Sequence, residues 1–163
     1  MSTPPITTLK QDPRTLLTDA QFTGVVNTVL DNNPGMTQGL AERITAEAVK
    51  FVVAGATHPG IPLAPSRVVD EGWHALILHT RPYAQLCAEH GPFVHHSPGY
   101  DPTFYDPDIL TRTTDAIRRA GFTVDEALWA GPTDGNISVA AQCQHSPPEC
   151  AIEPQKEPKH PGS

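Results

Sequence analysis

The segment Ser66-Arg67-Val68-Val69-Asp70-Glu71-Gly72-Trp73-His74-Ala75-Leu76-Ile77-Leu78-His79 decides the fold. Ser66 follows Pro65 and is a good N-cap for a helix reaching about His79. Val68, Val69, Trp73, Ala75, Leu76, Ile77 and Leu78 surround that helix. A helix apolar on all sides is central and buried, so this one is expected at the middle of an all-α bundle. Asp70 and His74 lie four apart on it and share a face.

Helical spacing continues on both sides. Phe22, Val25, Val26, Val29 and Leu30 predict a first helix from near Thr18 to Asn32, stopped by Asn33-Pro34-Gly35. Thr37 can cap a second that runs to about Ala54. Leu40, Ile44, Ala48, Phe51 and Val52 form its stripe, with Glu42, Glu47 and Lys50 pointing elsewhere. His58-Pro59-Gly60-Ile61-Pro62 reads as a loop. Thr80 and Pro82 open a fourth helix that carries Tyr83, Leu86 and Cys87 and ends at Gly91.

Residues 92–105 form a long loop that contains His95-His96. Asp106 is expected to cap a fifth helix with Pro107 in its first turn. Ile109, Leu110, Thr113, Ala116 and Ile117 mark its inner face, and Gly121 closes it. Thr123 can cap a short sixth through Trp129. Only residues 137–139 hint at a strand. The class is all-α, an irregular bundle of about five to six helices. Residues 1–13 are expected to be a disordered N-terminus, 14–140 a single helical domain, and 141–163 a disordered Pro-rich tail.

A net charge of −7 and the lack of any Lys/Arg stripe argue against nucleic acid as a partner. Only Arg118-Arg119 lie adjacent. No apolar run approaches a membrane span and no signal sequence is evident, so a soluble, cytoplasmic protein is expected. An odd cysteine count, three, argues against a disulfide framework. No Gly-x-Ser-x-Gly elbow and no phosphate-binding glycine loop occurs, which leaves nucleophilic catalysis and nucleotide binding without a basis.

The candidate chemistry lies among the histidines, five of which fall between His74 and His96. Burying even a neutral polar group unpartnered costs about 2–7 kcal/mol, so a buried Asp70 needs compensation. A divalent cation would supply it. So would a hydrogen bond to His74, or a salt bridge to Arg67 or Arg81. The metal reading draws further ligands from His96, with His95 as its alternative, and from Cys87. Asp70, His74 and one of those histidines suit non-haem iron or catalytic zinc, and Cys87 would favour zinc or copper. No His-Glu-x-x-His or Cys-x-x-Cys pattern supports either choice. The bland alternative is a buried polar network with Asp70 accepting from His74 and His96.

Other polar residues read more simply. Cys87 is also a plain buried thiol, and Trp73 and Tyr83 are core residues, with Tyr83 a weak candidate for a catalytic acid. His79 and His90 suit helix C-termini. A second, weaker cluster is Cys143, His145 and Cys150, able to bind a soft metal, form a short disulfide loop or fold back over the first site.

Asp70-x-x-Trp73-His74-x-x-Ile77-Leu78, followed by Tyr83, Cys87, Gly91 and His96 before Pro98, resembles the core motif of the glycine-rich domain protein-like family. The resemblance covers residues 66–98 and implies a shared site at Asp70, His74, Cys87 and His96, without a defined activity. The chain lacks the glycine-rich tail of the plant members.

The function expected is therefore a small metal-binding helical protein holding iron, zinc or copper, and in finer form a metal-dependent tailoring enzyme. The alternative is a non-catalytic interaction module whose Asp/His/Tyr network is structural. The partner would be a small molecule or a protein. A third reading makes the Cys143–Cys150 segment a site of modification or redox sensing.

Overall fold

Between Ile44 and Ala56 almost every side chain of one helix is buried, and that helix is the axis of the protein. The computed structural model describes residues 10–98, 106–129, 137, 139 and 150–152, the last three as backbone only. They form five α-helices: α1 (Asp19–Asn32), α2 (Gln38–Thr57), α3 (Arg67–Leu78), α4 (Thr80–His90) and α5 (Ile109–Arg119). Two short strands accompany them, β1 (His96–Pro98) and β2 (Cys150–Ile152). The fold is all-α, as the periodicity predicted.

Helix α2 packs against α1, α3, α4 and α5. The central helix is thus α2 rather than α3. Its run Ala48-Val49-Lys50-Phe51-Val52-Val53-Ala54-Gly55-Ala56 is apolar on every side but one. Helix α3 instead leaves Leu78 68% exposed. Glu47 and Lys50 do not point outward. They are buried, they pair with each other, and Lys50 Nζ donates to the Thr123 carbonyl at 2.9 Å. Trp129 Nε1 donates to the other Glu47 oxygen at 2.8 Å.

The caps follow the sequence closely in the first half. Thr18 and Gln21 form a capping box on α1, and the Thr37 and Ser66 side chains accept from Leu40 and Val69 to start α2 and α3. Two caps were misplaced by one or two residues. His79 precedes α4, with Thr80 already helical, and Asp108 precedes α5. Asp106 caps no helix end. Its carboxylate accepts from the Asp108 amide and pairs with Arg112. The expected sixth helix is a single 3-10 turn, Glu126–Leu128.

Pro13, inside the expected N-terminal tail, is buried and opens a 3-10 turn, Pro13–Leu16. The rest of that tail up to residue 9, and the C-terminal tail apart from β2, lie outside the described residues. Residues 137 and 139 are not in a strand. The strand lies instead in the loop after α4, where β1 pairs antiparallel with β2: His96 opposite Ile152, Ser97 opposite Ala151, Pro98 opposite Cys150. No described helix is long and apolar enough to cross a membrane.

Candidate metal centre

Asp70 sits in the first turn of α3 because Ser66 fixes where that helix begins. Ser66 Oγ accepts from Val69 N at 3.2 Å and donates to the Leu128 carbonyl at 2.5 Å, which ties the helix start to the turn before Trp129. Gly72 allows α3 to lie hard against α2. A Cβ there would stand 2.7 Å from the Ile44 carbonyl oxygen. The Asp70 and Glu71 side chains consequently enter the interior.

The two carboxylates meet different partners. Asn33 Nδ2 donates to Glu71 Oε1 at 2.7 Å. Asp70 is 1% exposed, and neither of its oxygens has a hydrogen-bond partner among the described residues. The expected alternatives do not compensate it. Arg67 donates to the Ile137 carbonyl, and Asp70 pairs with neither Arg67 nor Arg81. Burial, with a smaller contribution from the neighbouring Glu71 charge, pushes the Asp70 carboxyl up to about 7.

Two imidazoles face that carboxylate. Asp70 Oδ1 is 3.4 Å from His74 Nε2 and 3.8 Å from His96 Nε2, and the two Nε2 atoms are 2.8 Å apart. Burial lowers the pKa of both rings, and His74 lowers that of His96 further. All three groups are thus biased toward neutrality, and two ring nitrogens point at one spot beside an uncharged or uncompensated carboxyl. His74 is the most exposed of the three, its side chain 38% open, which gives the spot a route to solvent.

The triangle fits a cation. Ligand bonds of about 2.0–2.2 Å place neighbouring donors roughly 2.8–3.1 Å apart around an octahedral ion and roughly 3.3–3.6 Å apart around a tetrahedral one. Two of the three edges here, 2.8 and 3.4 Å, fall in that span, and the third, 3.8 Å, lies just above it. The donor set is two imidazoles and one carboxylate, the set that suits zinc or iron(II). Asp70, His74 and His96 are the one group of three or more His, Cys, Asp or Glu able to hold a metal among the described residues.

The remaining expected ligands lie elsewhere. His95 is exposed, its ring 4.7 Å from that of Phe93, so the choice between neighbouring histidines falls on His96. Cys87 is not in the group. It is buried in α4 beside Tyr83, and burial pushes its thiol up. Tyr83 is fully engaged as well, donating to the Val94 carbonyl at 2.5 Å and accepting from Trp73 Nε1 at 3.1 Å. Burial raises its pKa, which keeps it a phenol. The Trp73 ring lies 4.6 Å from the His96 ring. Trp73, Tyr83 and Cys87 therefore hold the strand that presents His96, and none of them is a ligand here.

His79 Nε2 meets Thr28 Oγ1 at 2.9 Å, joining α3 to α1, and His90 Nδ1 lies 2.8 Å from the Leu86 carbonyl at the end of α4. Both are structural, as expected. Cys143 and His145 lie outside the described residues, and Cys150 is described only as backbone in β2. The sequence reading assigns no role to the Glu71–Asn33 pair and does not expect Glu47 and Lys50 in the interior. The unbroken apolar run around Lys50 was the available signal for the last two.

Residues 13–120 match the family described as UCP032817-like. The chain belongs to the UCP032817-like family. This corrects the resemblance to the glycine-rich domain protein-like family, which rested on residues 66–98 alone. Its Trp, Tyr and Cys positions are here a packing unit, and such a unit can arise wherever a strand must be clamped to two helices. The UCP032817-like match takes in Asp70, His74, Tyr83, Cys87 and His96 and stops before Cys143, His145 and Cys150. The family is uncharacterised, so it carries no activity to this chain. No curated protein and no solved structure matches the chain.

Proposed function

We propose that this UCP032817-like protein binds one divalent cation through Asp70 Oδ1, His74 Nε2 and His96 Nε2, with zinc or iron(II) as the ions its donors suit. The observation that carries the reading is the Asp70 carboxyl. It is buried, it lacks a hydrogen-bond partner among the described residues, and it faces two ring nitrogens. An ion would neutralise the carboxylate and use the lone pairs of both neutral imidazoles. In exchange for the ion, Asp70 gives up its proton, and the triad passes from neutral acid and bases to three ligands. A copper site is less well matched, because the donors include no described thiolate or thioether.

The finer reading is a metal-dependent enzyme. Three protein donors leave positions for water or substrate, as catalytic ions require, whereas a fourth protein donor closes the shell. His74, half-exposed, would form the solvent side of such a centre. The 2.8 Å contact between the two Nε2 atoms favours a second reading, a structural network in which one ring donates to the other.

Elemental analysis of untagged protein, before and after reconstitution with zinc or iron(II) and dialysis, separates the two. The metal reading expects about one ion per chain, lost in His74→Ala and His96→Ala. Protein that stays empty after reconstitution, and melts at the same temperature with and without each ion, refutes it in favour of the network.

A further inference from the structure

The solvent side of the metal triangle has an apolar neighbour. Along α3, Asp70, His74 and Leu78 follow one another at four-residue spacing. Asp70 is 1% exposed and Leu78 68%, with half-exposed His74 between them. Residues three and four apart on a helix are neighbours, with Cβ atoms about 5–6 Å apart. Long helical side chains lean toward the helix N-terminus, over the turn before their own. Ile77 and Leu78 therefore lean over the turn that carries His74. Ile77 is half-buried against the core. Leu78 is one of two large apolar residues exposed among the described residues, and the other, Phe93, has its ring against those of Tyr83 and His95. A lone surface leucine is ordinary. This one is singled out by the ligand on the preceding turn.

The ion adds a second constraint. Three protein donors leave at least one position for an outside ligand. A divalent ion, one carboxylate and two neutral imidazoles leave the shell with one surplus positive charge. Glu71 does not join that shell, since its carboxylate accepts from Asn33 at the end of α1. A monoanionic oxygen donor balances the surplus charge, and a cationic ligand adds to it.

On these two grounds we propose that the Asp70–His74–His96 centre takes a small carboxylate with an apolar chain. The carboxylate oxygen fills the open position of the ion, and the chain lies along Leu78 and Ile77. The inference rests on the cation-binding reading above. It makes Leu78 a specificity-determining residue that packs on the ligand without touching the ion.

Straight-chain carboxylates from acetate to hexanoate test this on the full-length chain loaded with cobalt(II), whose visible bands shift when an outside oxygen ligand replaces water. Affinity should rise about two- to fourfold with each added methylene, fourfold being the value for complete burial. Leu78→Ser, a change at an exposed position, should flatten that rise and keep the cobalt content. In the zinc-loaded unmodified chain, hexanoate should shift the Leu78 methyl resonances more than those of buried Leu63, a readout that needs no variant. Hexylamine, a cation at neutral pH, should bind more weakly than hexanoate. Affinity that is flat with chain length, a rise that survives Leu78→Ser, unshifted Leu78 methyls, or hexylamine binding as tightly as hexanoate each overturns this inference and leaves the cation reading standing. A chain that takes up neither cobalt nor zinc overturns both.

Discussion

The Tyr83 hydroxyl donates to the backbone carbonyl of Val94 at 2.5 Å, and through that bond α4 holds the strand two residues before His96. The same oxygen accepts from Trp73 Nε1, whose indole backs the His96 ring. One phenol thus joins α3, α4 and the segment that leads into β1, where His96 faces Asp70. Groups that orient a ligand without touching the ion commonly change metal affinity about 10–100-fold.

Tyr83→Phe removes this junction without changing its volume greatly. It leaves the Trp73 N–H and the Val94 carbonyl without their partner, at a cost of about 1–3 kcal/mol for a buried group so abandoned. Urea denaturation of the metal-free protein should read that loss. Chelator competition should separately read an ion affinity weaker by about tenfold or more. Unchanged affinity at reduced stability would mean that His96 is positioned by other contacts, and that Tyr83 only packs.

Asp70→Asn should move stability in opposite directions with and without the ion. Burial holds the Asp70 carboxyl near 7, against an ordinary value of 3.8. In the folded, metal-free chain Asp70 therefore keeps a proton that the unfolded chain gives up. Its contribution is present below the ordinary value and lost as pH rises to about 7. The imidazoles act the other way, since their lowered pKa values favour folding as pH rises. Comparing the two proteins cancels the histidines to first order. Asp70→Asn should gain relative stability across that window, reaching up to about 4 kcal/mol above neutrality, from about three pH units at 1.36 kcal/mol each. Urea midpoints in chelator measure it. Added zinc should reverse the order, stabilising the unmodified chain and leaving the variant unmoved. A difference that is flat with pH would show that Asp70 titrates normally.

Much of this was legible in the chain itself. Thr18, Thr37 and Ser66 announced three helix starts, and the i, i+4 pair Asp70–His74 announced one edge of the triad. His96 is named there but not separated from His95, because that choice depends on how the chain turns between α4 and β1. No local pattern showed the strand. Its partner lies about fifty residues further on, and pairing at that distance leaves little trace in sequence. Cys87 lies outside the Asp70–His74–His96 group, and the Tyr83 hydroxyl is taken up by Val94 and Trp73. Proximity along a helix does not tell a ligand from a clamp. Glu47 and Lys50 fall off the apolar stripe by spacing, yet the apolar run around Lys50 leaves that side of the helix no polar face.

Gly72→Ala tests the close approach of α2 and α3 that drives Asp70 inward. The added carbon would lie 2.7 Å from the Ile44 carbonyl oxygen and 2.9 Å from Ala48 Cβ, and backbone cannot yield as a side-chain tip can. Helix propensity alone would favour alanine by about 1 kcal/mol. The clash should win, because overpacking a tight core costs about 1–3 kcal/mol or more. Thermal melts should show net destabilisation. A more stable variant would mean that the helices separate freely, and the burial of Asp70 would then lack its cause.

Lys50→Met tests the second buried charge system, which supports the first from a distance. Lys50 neutralises Glu47 and donates to the Thr123 carbonyl, while Trp129 donates to Glu47. Those bonds fasten the segment from Thr123 to Trp129 onto α2. That segment contains Leu128, whose carbonyl receives the Ser66 hydroxyl at the start of α3. Removing Lys50 leaves Glu47, 1% exposed, charged beside a single indole N–H. Breaking one side of a buried pair costs about 3–5 kcal/mol. Glu47→Gln added to Lys50→Met should restore part of the loss, since an amide needs no counter-charge and still accepts from Trp129. Urea denaturation at neutral pH measures both. A single variant less stable than the double would show that the uncompensated charge, rather than lost packing of the lysine stem, is the cost. Equal losses would assign it to packing.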